Sequence, residues 1–161
     1  MQQALAKLAS VKSGTSKQIL DVVNSEITRL TQSVIGYVAV MDDTEQELTM
    51  VGWSNSAMAD CKMINKPIVY ALKDTGLWGD AVRERKACIT NDYKALVKPT
   101  KKGYPAGHVD VKKHMNIPVV EGGKIVAVAG VGNKTGDYSQ ADANTLTQFM
   151  NEAWKILKEK I

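Results

Sequence analysis

The chain of 161 residues contains little cysteine, histidine, proline or phenylalanine, with two, two, four and one residue respectively. Two cysteines, Cys61 and Cys88, cannot build a disulfide framework, and neither has a companion at the spacing of a metal site. No apolar run approaches the ~18–20 residues that a membrane-spanning helix needs. The N-terminus lacks the basic and apolar segments of a signal peptide. These absences predict a cytoplasmic setting without direct insertion into a membrane.

Charge is also modest, since the net charge is +4, and 24% of the residues are charged against 44% that are apolar. This composition is typical of one globular domain. The sequence has no helix-turn-helix, zinc or aromatic RNA-binding signature, so no nucleic acid partner is expected. It also lacks a serine nucleophile elbow and a phosphate-binding loop. Gly130 and Gly132 lie inside a predicted strand, which does not fit a dinucleotide site. No catalytic residue and no metal ligand are therefore assigned.

A hairpin within residues 113–138 is the clearest structural signal. Residues 115–120 form one apolar run and residues 125–131 form another, and a turn with paired glycines, EGGK, joins them. Glycine pairs favour the tight turn of an antiparallel hairpin. The second run is apolar or small on both faces, so it is predicted to be a central strand covered on both sides.

The rest of the chain supplies elements for these two coverings. Helical spacing of apolar residues is found over residues 2–12, 15–32 and 139 to the end. Thr15 or Ser16 is expected to cap the second helix, and the sequence from Ser139 to Asp142 resembles a capping box at the start of the third. A second hairpin is predicted over residues 34–53. Shorter elements are a short helix or loop over 54–65, a strand within 67–72, a helix that Asp74 and Thr75 cap and that runs to about Arg85, and a strand over 88–91. This order predicts an α+β fold with an antiparallel sheet, terminal helices on one face, and the short central helix and a long loop on the other.

The long loop over residues 93–111 is a candidate functional segment, because loops of this length inside a compact domain are often functional. Six lysines and one acidic residue lie between Tyr93 and His114, and they form either an anion cradle or a solvated face. Aromatic side chains on the same side of the predicted sheet either line a small-molecule cavity or fill an ordinary core. They are Trp53, Tyr70, Trp78, Tyr93 and Tyr104.

Four polar residues complete the predicted site. His108 and His114 lack a companion at metal spacing, so we expect them to be hydrogen-bonding residues of a pocket. Asn91 and Asp92 end the strand before the loop and are predicted to be polar anchors at the mouth of the cavity.

Short motifs along the chain resemble those of GAF domains, the small-molecule sensor modules of signalling proteins. The motifs are GLWGDAV at 76–82, ITNDY at 89–93, GYPAGH at 103–108, IPV at 117–119 and VAVAGVGNK at 126–134, followed by Asp137 and Tyr138. Their order over about residues 15–160 is similar to that in the GAF domains of bacterial and archaeal sensor histidine kinases and diguanylate cyclases.

The resemblance implies a GAF-like fold, related to PAS and profilin folds, with about five or six antiparallel strands. Terminal helices would cover one face, and a ligand pocket beneath the long loop would lie on the other. Residues 1–14 would be a linker or signalling helix and residues 15–161 the GAF domain. The family also implies an unidentified small-molecule ligand, a homodimer through the terminal helices, and a downstream kinase or cyclase domain in a longer protein. The isolated domain would not be an enzyme.

The cofactor stays unknown, because the sequence departs from the ligand-specific GAF patterns. Cyclic-nucleotide-binding members carry an Asn-Lys pair, then Phe and an Asp-Glu pair. Here Asn133 and Lys134 are followed by Tyr138 and Asp142, and the Glu is missing. Cyclic nucleotides are therefore disfavoured, and a structural ion pair between Lys134 and Asp142 is expected instead. Neither cysteine lies next to a histidine, as bilin attachment requires.

Three alternatives to a ligand sensor stay open from the sequence. The first is a dimerisation and signal-relay module without a ligand. The second is a thiol enzyme or redox sensor that uses Cys61 and Cys88, similar to the free methionine sulfoxide reductases with a GAF fold. The third is haem ligation through a histidine, which is disfavoured.

Overall fold

The computed structural model describes residues 1–54, 69–104 and 108–161. The longer helices are α1 (Gln2–Ser10), α2 (Ser16–Thr31) and α4 (Gln140–Leu157), and a short helix α3 spans Asp80–Arg83. The strands are β1 (Ile35–Met41), β2 (Glu47–Trp53), β3 (Val69–Ala71), β4 (Cys88–Thr90), β5 (His114–Glu121) and β6 (Lys124–Gly132). They form one antiparallel sheet in the order β3-β2-β1-β6-β5-β4. The α+β fold predicted from the sequence is confirmed.

The predicted central hairpin is confirmed as β5 and β6. Gly122 and Gly123 form its turn with φ angles of 59° and 82°, a left-handed conformation that glycine adopts without a steric penalty. Strand β6 pairs with β5 on one side and with β1 on the other. It therefore lies in the middle of the sheet with both faces covered, as its apolar sequence indicates.

Helices α1, α2 and α4 pack together on one face of the sheet. Alternate residues of β6, Ala127, Ala129 and Val131, point to this side and belong to the same buried core as Phe149 and Ile27. The small side chains allow the helices to approach the strand closely. In the part of the chain that the structure describes, no helix is long and apolar enough to cross a membrane.

Helices α2 and α4 begin at capping boxes that satisfy their first backbone N–H groups. Thr15 and Gln18 form the box of α2, and Ser139 and Asp142 form that of α4. The sequence predicts both sites. The carboxylate of Asp142 also accepts a hydrogen bond from Lys134 at 2.7 Å, which places the predicted ion pair between the end of β6 and the start of α4.

The helix predicted from Asp74 and Thr75 to about Arg85 is wrong in its start and length. Two single 3₁₀ turns, Leu72–Asp74 and Leu77–Gly79, precede the four-residue α3. The Thr75 hydroxyl donates to the Leu72 carbonyl and accepts from Arg83, so it is not free to cap a helix. The strand predicted within 67–72 is described only over Val69–Ala71. The loop or short helix predicted over 54–65 lies almost wholly outside the described residues.

Candidate ligand-binding cavity

A cavity of about 250 Å³ lies on the sheet face opposite the three long helices. Its floor comes from β1, β5 and β6, one wall from β2, β3 and the segment before α3, and the other from the long loop. The sequence predicts a pocket on this face, which the long loop covers and the terminal helices do not. The cavity is lined mainly by aromatic and aliphatic side chains, as small-molecule sites commonly are.

The floor of the cavity depends on a glycine in β6. A Cβ atom at Gly130 would lie 2.0 Å from the ring of Tyr37 and 2.5 Å from the Asn116 side-chain oxygen. Real Cβ atoms do not approach other atoms this closely, so any side chain at position 130 would displace both neighbours. Gly130 therefore lets the Tyr37 side chain from β1 reach across the central strand to Asn116 on β5.

Two aromatic groups form the walls. On the first wall, the Trp78 ring lies edge-on to the rings of Tyr37 and Tyr70, with centroid distances of 6.1 and 5.4 Å. On the second wall, the Tyr93 and Tyr104 rings lie 5.6 Å apart, and the Tyr104 ring lies 5.0 Å from that of His108. Such tilted and edge-to-face contacts fix the ring orientations.

A chain of hydrogen bonds crosses the floor from Tyr37 to His114. The Tyr37 hydroxyl donates to Oδ1 of Asn116 at 2.7 Å, and Nδ2 of Asn116 lies 2.8 Å from Nδ1 of His114. The other ring nitrogen of His114, Nε2, is buried and has no hydrogen-bond partner among the described residues. His114 is 9% exposed and lines the cavity.

Burial shifts the pKa values of His114 and Tyr37, the two ends of this hydrogen-bond chain. It lowers the pKa of His114 to about 4, because the charged imidazolium is poorly solvated there, and the nearby Asp80 and Lys98 have smaller and opposing effects. Burial also raises the pKa of Tyr37, whose side chain lines the cavity. Both side chains are therefore neutral at pH 7.

An ionic cluster attaches the long loop to α3 beside the cavity. The buried carboxylate of Asp80 accepts hydrogen bonds from Arg83 at 2.7 Å, from Lys98 at 2.6 Å and from Thr100 at 2.8 Å. Burial alone would raise the pKa of Asp80, but these three hydrogen bonds outweigh it and hold the pKa below its usual value. Lys98 also pairs with Glu84 at 2.5 Å.

The structure brings seven of the nine predicted site residues together around the cavity. They are Trp53, Tyr70, Trp78, Tyr93, Tyr104, His108 and His114. The sequence analysis did not assign Tyr37 and Asn116 to the site. Tyr37 lies on β1, whose two faces are both apolar or small, so no sequence signal shows which of its residues face the cavity. Asn116 lies two residues after His114 in β5, and the alternation of side chains along a strand places both on the same face, a signal that the sequence analysis did not use. Whether any of these residues contacts a ligand stays a prediction.

Asn91 and Asp92 do not line this cavity. The Asn91 side chain accepts from the Tyr138 backbone N–H at 2.8 Å and donates to the Tyr138 carbonyl at 3.0 Å. The Asp92 carboxylate accepts from the backbone N–H of Ala95 at 2.9 Å, at the exposed start of the loop. Both border an outer cleft next to Tyr93 and Tyr104. Their predicted role as anchors of a ligand has no geometric support in the cavity.

The lysines of the loop are used mainly within the protein. Lys98 binds Asp80, Lys101 donates to the Leu96 carbonyl at 2.9 Å and lies 4.7 Å from the centre of the Tyr93 ring, and Lys113 pairs with Asp137. The described residues that line the cavity include no lysine, arginine, aspartate or glutamate. An anion cradle is therefore not formed on the cavity side of the loop.

The thiol of Cys88 is not activated. Burial, with a smaller contribution from the nearby Glu84 carboxylate, raises the pKa of Cys88 to about 11, so the thiol stays protonated at pH 7. Cys61 lies outside the described residues. Among the residues that the structure describes, no group of three or more His, Cys, Asp or Glu side chains is placed to hold a metal ion.

Comparison with known proteins gives matches over nearly the whole chain. The family model of the GAF domain matches residues 13–158. A sequence relative is the methyl sulfide methyltransferase-associated sensor of Methanosarcina acetivorans, which is 48% identical over 158 residues. The match covers 98% of this chain but only 16% of that protein, so this chain spans a small part of the relative's length.

Solved structures share the fold at low sequence identity. The GAF domain of a phosphoenolpyruvate-protein phosphotransferase from Coxiella burnetii has a TM-score of 0.74 at 16% identity, covering 99% of this chain and 94% of that one. The free methionine-R-sulfoxide reductase of Neisseria meningitidis has a TM-score of 0.71 at 13% identity, covering 99% and 89%. A GAF domain of a phosphotransferase and a reductase thus share this architecture, so function must be argued from the site.

Proposed function

Because the chain belongs to the GAF domain family, we propose that it is a sensory domain that binds a small molecule in the cavity between the sheet and the long loop. The observation that carries the proposal is the cavity itself, an aromatic-lined space of about 250 Å³ whose lining includes the buried side chain of His114. A relay module without a ligand would fill this space with its own side chains. An apolar cavity of roughly 150 Å³ is already large enough to hold benzene.

The loop is the segment on which a ligand would act. Gly103, Tyr104, His108, Val109 and Val111 come from the loop and line one side of the cavity. A ligand that contacts these residues and the floor together would favour the loop conformation in which all the contacts form. This is a population shift. Its size is set by how much more tightly the ligand binds the loop conformation that makes all the contacts than it binds the other loop conformations.

A route from the loop to the terminal helices supports the signalling part of the proposal. Asn91, just after β4, holds the backbone of Tyr138, which directly precedes the capping box of α4. The Tyr138 hydroxyl lies 2.7 Å from the hydroxyl of Ser33, at the end of α2. A shift at the start of the loop would therefore reach α2 and α4 through Tyr138.

The sequence relative supports a proposal about the context of the domain. The Methanosarcina acetivorans protein is named a sensor and is much longer than this chain. We propose that this domain likewise belongs to a longer signalling protein, whose output domain is a histidine kinase or a cyclase. If the output domain is a histidine kinase, the protein is part of a two-component system. We further place it in the cytoplasm as a homodimer through its terminal helices, with residues 1–14 as the signalling helix.

A catalytic function receives less support. The thiol enzyme alternative needs a reactive thiolate, and the pKa of Cys88 is raised rather than lowered. The domain is therefore proposed to act by binding alone.

A thermal-shift and calorimetric screen of metabolites tests this function, with dimethyl sulfide and haemin included. Dimethyl sulfide is chosen because of the name of the relative, and haemin tests the histidine alternative. Saturation at 100 times Kd should stabilise the folded chain by about 2.7 kcal/mol, which corresponds to a shift of several degrees in Tm.

Two valine variants of the loop locate the binding site. Val109→Trp places an indole at the cavity wall and should abolish the shift, whereas Val97→Trp makes the same change at a position that is 95% exposed and should preserve it. The proposal fails if no compound in the screen binds, or if Val109→Trp binds as well as Val97→Trp.

A further inference from the structure

The outer cleft next to Tyr93 and Tyr104 is an open space of about 600 Å³, separate from the cavity. Tyr93, Tyr104 and Val111 line both spaces and form the wall between them. A volume of this order is typical of sites for small molecules. The remaining residues of the cleft are mostly charged, and they are Asn91, Asp92, Lys94, Lys101, Asp110, Lys112 and Lys113.

The lining of the outer cleft has an excess of positive charge, because four lysines lie there against two aspartates. The residues outside the described ranges include one aspartate and two lysines, so their own net charge is positive and does not reverse this excess. Six lysines and one acidic residue lie between Tyr93 and His114, so this segment has a higher net charge than the +4 of the whole chain. Positive charge is therefore concentrated at this cleft.

Backbone contacts bring two of these lysines together from different parts of the loop. The Tyr93 N–H donates to the Lys112 carbonyl at 2.9 Å, which places Lys94 and Lys112 on adjoining segments. The side chain of Asn133, just after β6, accepts from the Lys112 N–H at 2.8 Å and donates to the Asp110 carbonyl at 2.7 Å. The fold itself, rather than the lysine side chains, therefore holds the two segments together.

The ammonium groups of Lys94 and Lys112 are available to a ligand. Both side chains are exposed, and neither has an ion-pair or hydrogen-bond partner within residues 1–54, 69–104 and 108–161. The two carboxylates of the cleft bind other groups, since Asp110 accepts from the Tyr104 hydroxyl at 2.6 Å and Asp92 accepts from a backbone N–H at 2.9 Å. Like charges that lie close together repel each other, so an anion in the cleft would be attracted by both lysines.

The kind of cation indicates the kind of anion. The four positive side chains of the described lining are lysines, which bind phosphate as compact point charges, whereas the planar fork of arginine is suited to bidentate recognition of carboxylates. A phosphate monoester carries about 1.5 to 2 negative charges at pH 7, which matches the excess of positive charge in the lining. The rings of Tyr93 and Tyr104 lie 5.6 Å apart and offer an apolar surface to the organic part of such a molecule.

We infer that the outer cleft is a second binding site, which holds the phosphate group of a small molecule or of a lipid between Lys94 and Lys112. Lys101 and Lys113 add positive charge around the site, although Lys101 is engaged by loop carbonyls and Lys113 by Asp137. The site does not depend on a ligand in the cavity. Because the phosphate contacts both ends of the long loop, its binding should slow amide hydrogen exchange over residues 93–104.

Phenyl phosphate, phenyl sulfate and phenol test the inference at pH 7.5, because they share one ring and differ in charge. Phenyl phosphate is close to a dianion, phenyl sulfate is a monoanion and phenol is neutral. Each is followed by calorimetry and by the amide NMR signals of Lys94 and Lys112. Phenyl phosphate should bind about tenfold more tightly than phenyl sulfate, and added sodium chloride should weaken its binding. Phenol should leave both signals unchanged.

Two double variants separate a site from general attraction of anions. Lys94→Gln combined with Lys112→Gln should lower the affinity for phenyl phosphate by about tenfold or more. Lys12→Gln combined with Lys160→Gln removes the same charge at exposed positions next to α1 and α4 and should preserve the affinity. All four side chains are exposed, so we expect both variants to fold. Vesicles of phosphatidylglycerol, tested with the same variants, distinguish a lipid phosphate from that of a free molecule.

The outcomes divide clearly. Binding of phenyl phosphate that is lost only in the variant of Lys94 and Lys112 would support a site for a free phosphorylated molecule. Binding of the vesicles alone, lost in the same variant, would support the site and assign the phosphate to a lipid. Equal affinity for phenyl phosphate and phenol would overturn the inference, because the ring alone would be recognised. Equal losses in the two double variants, or no binding of either phosphate probe, would also overturn it.

Discussion

The side chain of Asn91 pairs with the backbone of Tyr138 through two hydrogen bonds, accepting from the N–H at 2.8 Å and donating to the carbonyl at 3.0 Å. This pair joins the end of an edge strand to the segment where β6 passes into α4. It therefore connects the start of the long loop with the residue that precedes the capping box of α4.

Replacing Asn91 with alanine should therefore weaken both stability and coupling. Two backbone groups of Tyr138 lose their partners, and we expect a loss of about 2 kcal/mol in the free energy of unfolding, measured by urea denaturation. Asp92→Ala is the matched control, because the Asp92 carboxylate caps only the exposed start of the loop, and it should cost less than about 1 kcal/mol. Equal losses in the two variants would show that the Asn91–Tyr138 pair has no special structural role.

The ionic cluster around Asp80 should hold the loop in place. Asp80→Asn leaves Arg83 and Lys98 facing a neutral amide, so we expect a loss of about 2–3 kcal/mol in the free energy of unfolding and faster amide hydrogen exchange over residues 93–104. Glu84→Gln removes the more exposed partner of the same lysine and should cost only about 0–1 kcal/mol. If exchange in the loop is unchanged in Asp80→Asn, the cluster does not anchor the loop.

His114 should make the fold sensitive to mild acid. Its pKa is about 4 in the folded chain against a usual value of 6.5, so between these values the unfolded chain binds a proton that the folded chain does not. Stability therefore falls as the pH decreases from about 6.5 to about 4, by about 3 kcal/mol in total.

The His114→Gln variant isolates this contribution, since glutamine is uncharged at every pH. The free energy of unfolding, measured in urea at pH 7 and pH 4.5, should fall by about 2–3 kcal/mol less in His114→Gln than in the unmodified chain. Carboxylates titrate in both proteins and cancel in the comparison. A parallel pH dependence of the two proteins would mean that His114 is charged in the folded state.

Local signals in the sequence were sufficient to predict most of the helices and strands of the fold. The paired glycines at 122 and 123 predicted the central hairpin, and the residues at Thr15 and Ser139 predicted the starts of two helices. The predicted helix after Asp74 failed because the Thr75 hydroxyl is occupied by Arg83, eight residues further along the chain. Such a competing partner is a tertiary contact that no local pattern reveals.

The aromatic residues and the two histidines of the candidate site were predicted from the sequence, whereas Tyr37 and Asn116 were not. Trp78 and Tyr93 lie on segments that could only cover the free face of the sheet, so their placement followed from topology. The chain from Tyr37 through Asn116 to His114 depends on the register of three strands. Tyr37 and Asn116 both lie opposite Gly130, and this register cannot be read from the sequence of the separate strands. The facing side of Tyr37 is equally hidden, because β1 is apolar or small on both faces.

A small molecule that binds in the cavity is expected to change the junction of the terminal helices. The most direct test is a backbone amide NMR titration of the chain, and of its Val109→Trp variant, with the compound that stabilises the unmodified chain most in the thermal-shift screen. We predict chemical-shift changes at Gly130 on the cavity floor and, beyond the cavity, at Ser33 and Ser139, with none in the variant. Changes confined to the cavity, or the same changes in Val109→Trp, would contradict this account.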